Sequence, residues 1–189
     1  MGRSGSGKGT QINLLKEYLQ ERLEKSVYHF ESGNLFRGMI KGDGYTSERL
    51  REILKRGELV PDFFTDWLLI NGFVENLVDE NQILILDGYP RTIPQTETLE
   101  KALRYYGREK ALVIHVEVSE EEVRRRMIER GRGDDINMDA VNNRMKFFNE
   151  QVLPALDSLR NHENYTVVDV DGEGDINKIQ ESLRSVITA

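Results

Sequence analysis

Cysteine is absent from these 189 residues, which excludes a disulfide framework and a thiolate metal site alike. Histidine is scarce: His29, His115 and His162 are scattered along the chain, and each reads as structural rather than as a ligand, so no zinc is expected. Positive charge is the minority, since 26 Lys and Arg against 33 Asp and Glu leave a net charge of −7 and a pI near 5.1. That balance excludes a general nucleic-acid binder. No apolar run is long enough to span a bilayer, and no internal repeat or low-complexity segment stands out. With no signal segment ahead of the first motif in this sequence, a soluble, cytoplasmic protein is expected.

What is present begins at once. The length suits one domain, or one core with small inserted lobes, able to bury a core without staples. In Met1-Gly2-Arg3-Ser4-Gly5-Ser6-Gly7-Lys8-Gly9-Thr10, Gly2 and Gly7 bracket four residues and Lys8 follows, the spacing of a phosphate-binding loop. Gly5, Gly7 and Gly9 let backbone N–H groups of the loop, including that of Ser6, turn toward an anion. A helix starting near Lys8 adds its positive dipole end, and Lys8 adds a mobile point charge. The match departs from the strict motif in one place: Gly9 holds the position after the lysine where Ser or Thr is usual, and Thr10 follows it. A Gly/Ser linker is the competing reading. Ile12, Leu15, Leu19 and Leu23 at helical spacing argue against it.

Further along, Val27–Phe30, Ile83–Leu86, Ala111–Val118 and Tyr165–Val170 read as strands. Helical patterns at Leu35–Ile40, Ser47–Lys55, Phe63–Val78, Pro94–Tyr106, Ser119–Arg130, Met138–Leu159 and Ile176–Ile187 lie between and after them. Gly57 reads as a helix stop. Alternating strands and helices predict an α/β fold with a parallel sheet and right-handed crossovers. The continuous apolar run Ile83–Leu86 predicts a central strand covered on both faces. Asp87, at its carboxyl end, sits where such sheets bind ligands. Beside a phosphate loop, a carboxylate there can hold Mg²⁺ through water, with Thr10 a second candidate. Arg124, Arg125, Arg126, Arg130 and Arg132 form a local cationic cluster. Glu120–Arg124 and Glu121–Arg125 read as ordinary i,i+4 surface pairs. Arg126 and Arg130, one helical turn apart, read either as a solvated face or as an anion clamp.

Several of these residues carry a resemblance. Asp87-Gly88-Tyr89-Pro90-Arg91-Thr92-Ile93-Pro94-Gln95 resembles the signature segment of adenylate kinases, with Tyr89 where Phe is commoner. Ser32-Gly33-Asn34-Leu35-Phe36-Arg37 is similar to that family's AMP-entry segment. Gly57-Glu58-Leu59-Val60-Pro61-Asp62 is similar to the edge of its adenine pocket. Arg130-Gly131-Arg132-Gly133-Asp134-Asp135, followed by Arg144, resembles the family's short lid, with a connection one residue longer than the common pattern.

The resemblance implies a three-layer α/β/α phosphate-loop domain with core segments 1–31, 74–129 and 144–189. An AMP-covering helical insert over about 32–73 and a lid over about 130–143 complete it. It implies Mg²⁺-dependent transfer, ATP + AMP ⇌ 2 ADP, by a monomer acting on small nucleotides, with no membrane or nucleic-acid partner. Lys8, Arg91, Arg126, Arg130, Arg132 and Arg144 are then catalytic. Gly5, Ser6, Gly7, Lys8, Gly9, Thr10, Arg126, Arg130, Gly172 and Gly174 hold ATP. Ser32, Gly33, Arg37, Glu58, Leu59, Val60, Gly88, Arg91, Gln95, Arg132 and Arg144 hold AMP, with Gln95 reading the base. Two alternatives stay open at this point: a UMP or CMP kinase of the same fold, and a phosphate-loop switch protein. Ser32 and Gln95 favour AMP over pyrimidines, and the number of converging arginines disfavours a switch.

The resemblance also implies a buried apolar strand ahead of Gly2, where this sequence has only Met1. The expectation is therefore a longer N-terminal reading, and a structure with four main strands whose centre is open or partly filled by Met1.

Overall fold

The computed structural model describes residues 1–131 and 137–188. The elements run α1 (Lys8–Leu23), β1 (Val27–Glu31), α2 (Ser32–Met39), α3 (Tyr45–Lys55), α4 (Asp62–Asn76), β2 (Ile83–Asp87), α5 (Ile93–Tyr105), β3 (Ala111–Glu117) and α6 (Glu120–Arg130). They continue with α7 (Met138–Phe147), a π-helical turn (Phe148–Val152), α8 (Leu153–Arg160), β4 (Tyr165–Asp171) and α9 (Ile176–Thr188). All strands pair in parallel. β1 pairs with β2, with Glu31 opposite Asp87; β3 pairs with β4, with His115 opposite Asp169. Helices α4, α5 and α8 pack on one side of the strands, while α1 and α9 pack against each other and against β1 and β4. The fold is thus the expected α/β layering around short parallel strands.

The four expected strands are present, and they form two pairs with an open centre, as expected. Between β2 and β3 lies a cavity lined by Ile83–Leu86 on one side and Ala111–Ile114 on the other. Met1 stands at its end: Val116 N–H donates to the Met1 carbonyl at 2.9 Å, and the Met1 amine donates to the Ile114 carbonyl. Those two bonds place Met1 opposite His115 in parallel register, as a strand residue would be. The open edge explains why β2, expected to be fully covered, is half-buried along its whole length.

The helix expected over Met138–Leu159 contains a π turn, closed by Leu153 N–H to the Phe148 carbonyl. Pro154 removes an N–H donor and crowds the carbonyl four residues back, and widening the turn relieves both. Arg125 also pairs differently from expectation. It bonds Glu122 at 2.6 Å and Glu129 at 2.5 Å rather than Glu121, whereas Arg124 takes Glu120 at 2.7 Å as expected.

The largest core cluster includes Phe30, Leu50, Leu69, Phe73, Leu99, Leu103 and Leu159. It joins α4, α5 and α8 beneath β1. His115, stacked on Phe148, meets Asp169 across the strand pair, Nδ1 to the accepting Oδ1 at 2.9 Å, a structural role. Among the described residues no helix is long and apolar enough to cross a membrane.

Leu69 has no exposed surface and sits at the centre of the main cluster. Leu69→Ala should lower unfolding free energy by about 2–5 kcal/mol, the loss of transfer energy plus a cavity. Val74→Ala, on the exposed face of the same helix, should change it by less than about 0.5 kcal/mol. Urea denaturation of both variants checks the pair.

Candidate active site

The loop from Gly2 to Lys8 is built by backbone geometry that side chains resist. Gly5 and Gly7 have φ of 88° and 89°, in the left-handed region open to glycine. A Cβ on Gly5 would also meet Met127 Cγ at 2.8 Å and the Val123 carbonyl at 3.0 Å, so the loop lies directly on α6. Gly7 caps the N-terminus of α1, aiming that helix's free N–H groups into the loop. Lys8 folds back beneath it, donating to the Gly2 carbonyl at 2.9 Å, the Arg3 carbonyl at 2.8 Å and Ser6 Oγ at 3.4 Å. Arg3 itself lies over the Phe148 ring at 4.6 Å, which ties the loop to the π turn.

The cavity between β2 and β3, about 1040 Å³ in all, continues from that slot to this loop and past the β2 terminus to the signature segment. Of the residues expected to hold nucleotide, Gly5, Gly7, Lys8, Gly9, Thr10, Arg126 and Arg130 line it from the loop and α6. Ser32, Gly33, Arg37, Glu58, Leu59, Val60, Gly88, Arg91, Gln95 and Arg144 line it from the other end, with Asp87 between. Ser6, Gly172 and Gly174 are not among the lining residues. Gly172 has a packing reason to be glycine, since a Cβ there would meet Val116 Cγ1 at 2.5 Å and Val118 Cγ2 at 2.7 Å. Its carbonyl accepts from Arg126 Nη1 at 3.0 Å. Arg132 lies outside the described residues.

The cations crowd one another. Burial pushes the Lys8 ammonium down to about 8, Asp87 opposing the shift while Arg91 and Arg130 add to it. Burial likewise lowers Arg91, again opposed by Asp87 and reinforced by Arg144 and Arg37. Hydrogen-bond acceptors hold the arginines apart: Arg37 pairs with Glu31 at 2.8 Å, Arg91 Nε donates to the Gly88 carbonyl at 2.7 Å, and Arg126 pairs with Glu122 at 2.6 Å. Converging, desolvated cations are built for a polyanion.

The signature segment is pinned to α4. Ser32 Oγ donates to the Gly88 carbonyl at 2.8 Å. Tyr89 shares its hydroxyl proton between Asp66 at 2.6 Å and the Gln95 carbonyl at 3.1 Å. Gln95 is almost completely buried, and its amide already has two protein partners, the Arg91 backbone N–H and Asp62. Sequence reasoning placed Asp62 at the edge of the adenine pocket but missed its bond to Gln95, and it missed Asp66 altogether. Asp62 follows a proline at a helix start, where an acid is explained by the helix dipole alone. His29 also lines the cavity, with Nε2 buried and unpartnered; strand alternation gave it no distinguishing mark.

The adenylate kinase family model matches residues 1–164. The chain belongs to the adenylate kinase family. It is 36% identical to an adenylate kinase of Nocardia farcinica over 190 aligned positions, covering 98% of this chain and 96% of that protein. An adenylate kinase of Flavobacterium johnsoniae is 33% identical, with 98% and 95% covered. One of Prochlorococcus marinus is 31% identical, with 92% and 89% covered.

A bound polyphosphate should reverse the Lys8 shift, because it stabilises the charged ammonium. In the free protein Lys8 loses its proton near pH 8, so binding above that pH must take one up, and affinity must fall as pH rises through about 8. Calorimetry of ATP binding at about pH 8.5, in buffers of different ionisation enthalpy, should show uptake of about three-quarters of a proton, and Lys8→Met should abolish it.

Proposed function

We propose that this chain catalyses reversible transfer of the γ-phosphoryl group of ATP to AMP, giving two ADP. The observation that carries the reading is a single cavity with a phosphate loop at one end, the Gly88–Gln95 segment at the other, and Lys8, Arg37, Arg91, Arg126, Arg130 and Arg144 lining the space between. A hydrolytic switch needs one nucleotide site and a placed water; two anionic nucleotides brought end to end need cations from both sides.

In this reading the loop N–H groups and Lys8 hold the β- and γ-phosphates of ATP. Arg37 and Arg91 hold the acceptor phosphate, where a planar guanidinium fork suits oxygen pairs better than an ammonium does. Arg126, Arg130 and Arg144, with Arg132, meet the transferring group. An oxygen of the AMP phosphate attacks the γ-phosphorus as its bond to the bridging oxygen of ADP breaks. The chain's part is to align the two in line and to neutralise charge as it shifts. Closure of the insert over about 32–73 and the lid over about 130–143 excludes water from the transfer.

Mg²⁺ fits the same site. Asp87 faces the cavity from the β2 terminus, and Thr10 lines it from the first turn of α1. Among the described residues no group of three metal-ligating side chains stands ready, so the nucleotide's own oxygens and water would supply most ligands, as is usual for this cation. Bound there, the ion adds neutralisation of the phosphate oxygens. The reading carries with it a monomeric, cytoplasmic enzyme acting on small nucleotides. The net charge of −7 gives nucleic acid little electrostatic footing.

Incubated with ADP and Mg²⁺ alone, the protein should form ATP and AMP in equal amounts. In a panel of monophosphate acceptors with ATP and Mg²⁺, AMP should give the highest kcat/KM. Arg91→Ala should cost kcat/KM for AMP by an amount corresponding to about 2–5 kcal/mol, and Lys8→Ala should act mainly on kcat. Preference for UMP or CMP, or ATP hydrolysis without acceptor phosphorylation, would overturn the assignment.

A further inference from the structure

The Gln95 amide carries a second message, which depends on the reading above that it faces the acceptor base. An amide side chain is nearly symmetric in shape, so only its hydrogen-bond partners decide which end is oxygen and which is nitrogen. Gln95 Oε1 accepts from the Arg91 backbone N–H at 2.7 Å, a group that can only donate. Gln95 Nε2 donates to Asp62 Oδ1 at 2.8 Å, a carboxylate oxygen that can only accept. Both partners are one-way, and they agree. Turning the amide over would set oxygen against carboxylate and NH₂ against N–H, two repulsive contacts in a buried place.

Asp62 is itself held. Its second oxygen accepts from Thr92 Oγ1 at 2.9 Å, and Thr92 Oγ1 in turn accepts from the Gln95 backbone N–H at 3.3 Å as the N-cap of α5. The three residues close a ring that joins the first turn of α4 to the first turn of α5. With these partners engaged, Gln95 retains one lone pair on Oε1 and one proton on Nε2. Gln95 lines the cavity, so that pair is what the side chain can still offer a ligand.

We infer that Asp62 is a specificity-determining positioning residue, which together with the Arg91 backbone N–H fixes the Gln95 amide in the orientation that accepts a 6-aminopurine and rejects a 6-oxopurine. A 6-amino group gives its proton to Oε1 while the adjacent ring nitrogen accepts from Nε2, the paired contact by which an amide reads adenine. A 6-oxo group sets its oxygen against Oε1. If the amide were free to turn, it could serve either base. Asp62 touches neither the base nor the phosphates in this scheme; it acts through Gln95.

The test is the ratio of kcat/KM for AMP to kcat/KM for IMP, which differ at the base only in this edge. Asp62→Ala should lower the ratio by at least about tenfold, through a higher KM for AMP with KM for ATP unchanged. Asp62→Asn, whose amide can face Gln95 with either end, serves as the second variant should Asp62→Ala not fold, and should lower the ratio by at least about threefold. A ratio unchanged within twofold, AMP and IMP losing activity alike, would show Asp62 to be structural and overturn the inference. Gln95→Ala separates the two levels. If it removes discrimination while the Asp62 variants keep it, the inference fails and base reading by Gln95 stands. If Gln95→Ala keeps discrimination, the reading of Gln95 fails and the inference falls with it.

Discussion

Lys8 and Arg91 are brought together with Arg37, Arg130 and Arg144 around one cavity. Both Lys8 and Arg91 are pushed toward their neutral forms chiefly by burial, and neighbouring cations push them further while Asp87 resists. A fold selected for stability alone would not gather like charges so. It persists because backbone carbonyls of Gly2, Arg3 and Gly88 accept from them and Glu31 pairs with Arg37. The loop, the β2 terminus and the signature segment depend on that arrangement, since each supplies either a cation or the acceptor that restrains one. An incoming polyphosphate adds negative charge to that which Glu31, Glu58 and Asp87 already bring to the cavity.

The two ends of the cavity are held by different means. At the phosphate loop the device is backbone conformation: left-handed Gly5 and Gly7 and the start of α1. At the other end it is a side-chain network, in which Asp62 and Asp66 of α4 grip Gln95, Thr92, Tyr89 and Thr98. Phosphates are alike in every nucleotide, and backbone N–H groups suffice for them. Bases differ in the order of donors and acceptors, and only oriented side chains read that order. Tyr89, standing where Phe is commoner in the signature segment, adds a hydroxyl that extends the network to Asp66.

Much of this was legible in the residues. Glycine spacing around Lys8 marked the loop, four apolar residues before Asp87 marked a strand ending at the ligand side, and period 3.6 placed the helices within a few residues of their observed bounds. Which strands pair was not legible from periodicity, which reports burial and not partners; the open centre was expected only from the resemblance. Ile83–Leu86 read as a strand covered on both faces, yet its free edge lines the cavity. The π turn before Pro154 was missed for a similar reason: apolar spacing continues smoothly through it. Gly172 and Gly174, taken as contacts to ATP, are not cavity-lining, and Gly172 answers to the packing of Val116 and Val118.

By itself, then, the sequence determined local conformation and chemical type. Glycine fixes where the backbone can turn left-handed, apolar runs and helical spacing fix which segments are strands and helices, and the glycine-bracketed loop before Lys8 marks where an anion is met. Tertiary structure alone decided which of the arginines share one cavity, which glutamates and carbonyls restrain them, and that Asp62, 33 residues from Gln95 in sequence, bonds its amide. The physical reason is range. Backbone propensity acts over a few residues, whereas charge crowding and hydrogen-bond direction depend on distances that exist only once α4, β2 and α5 have packed together.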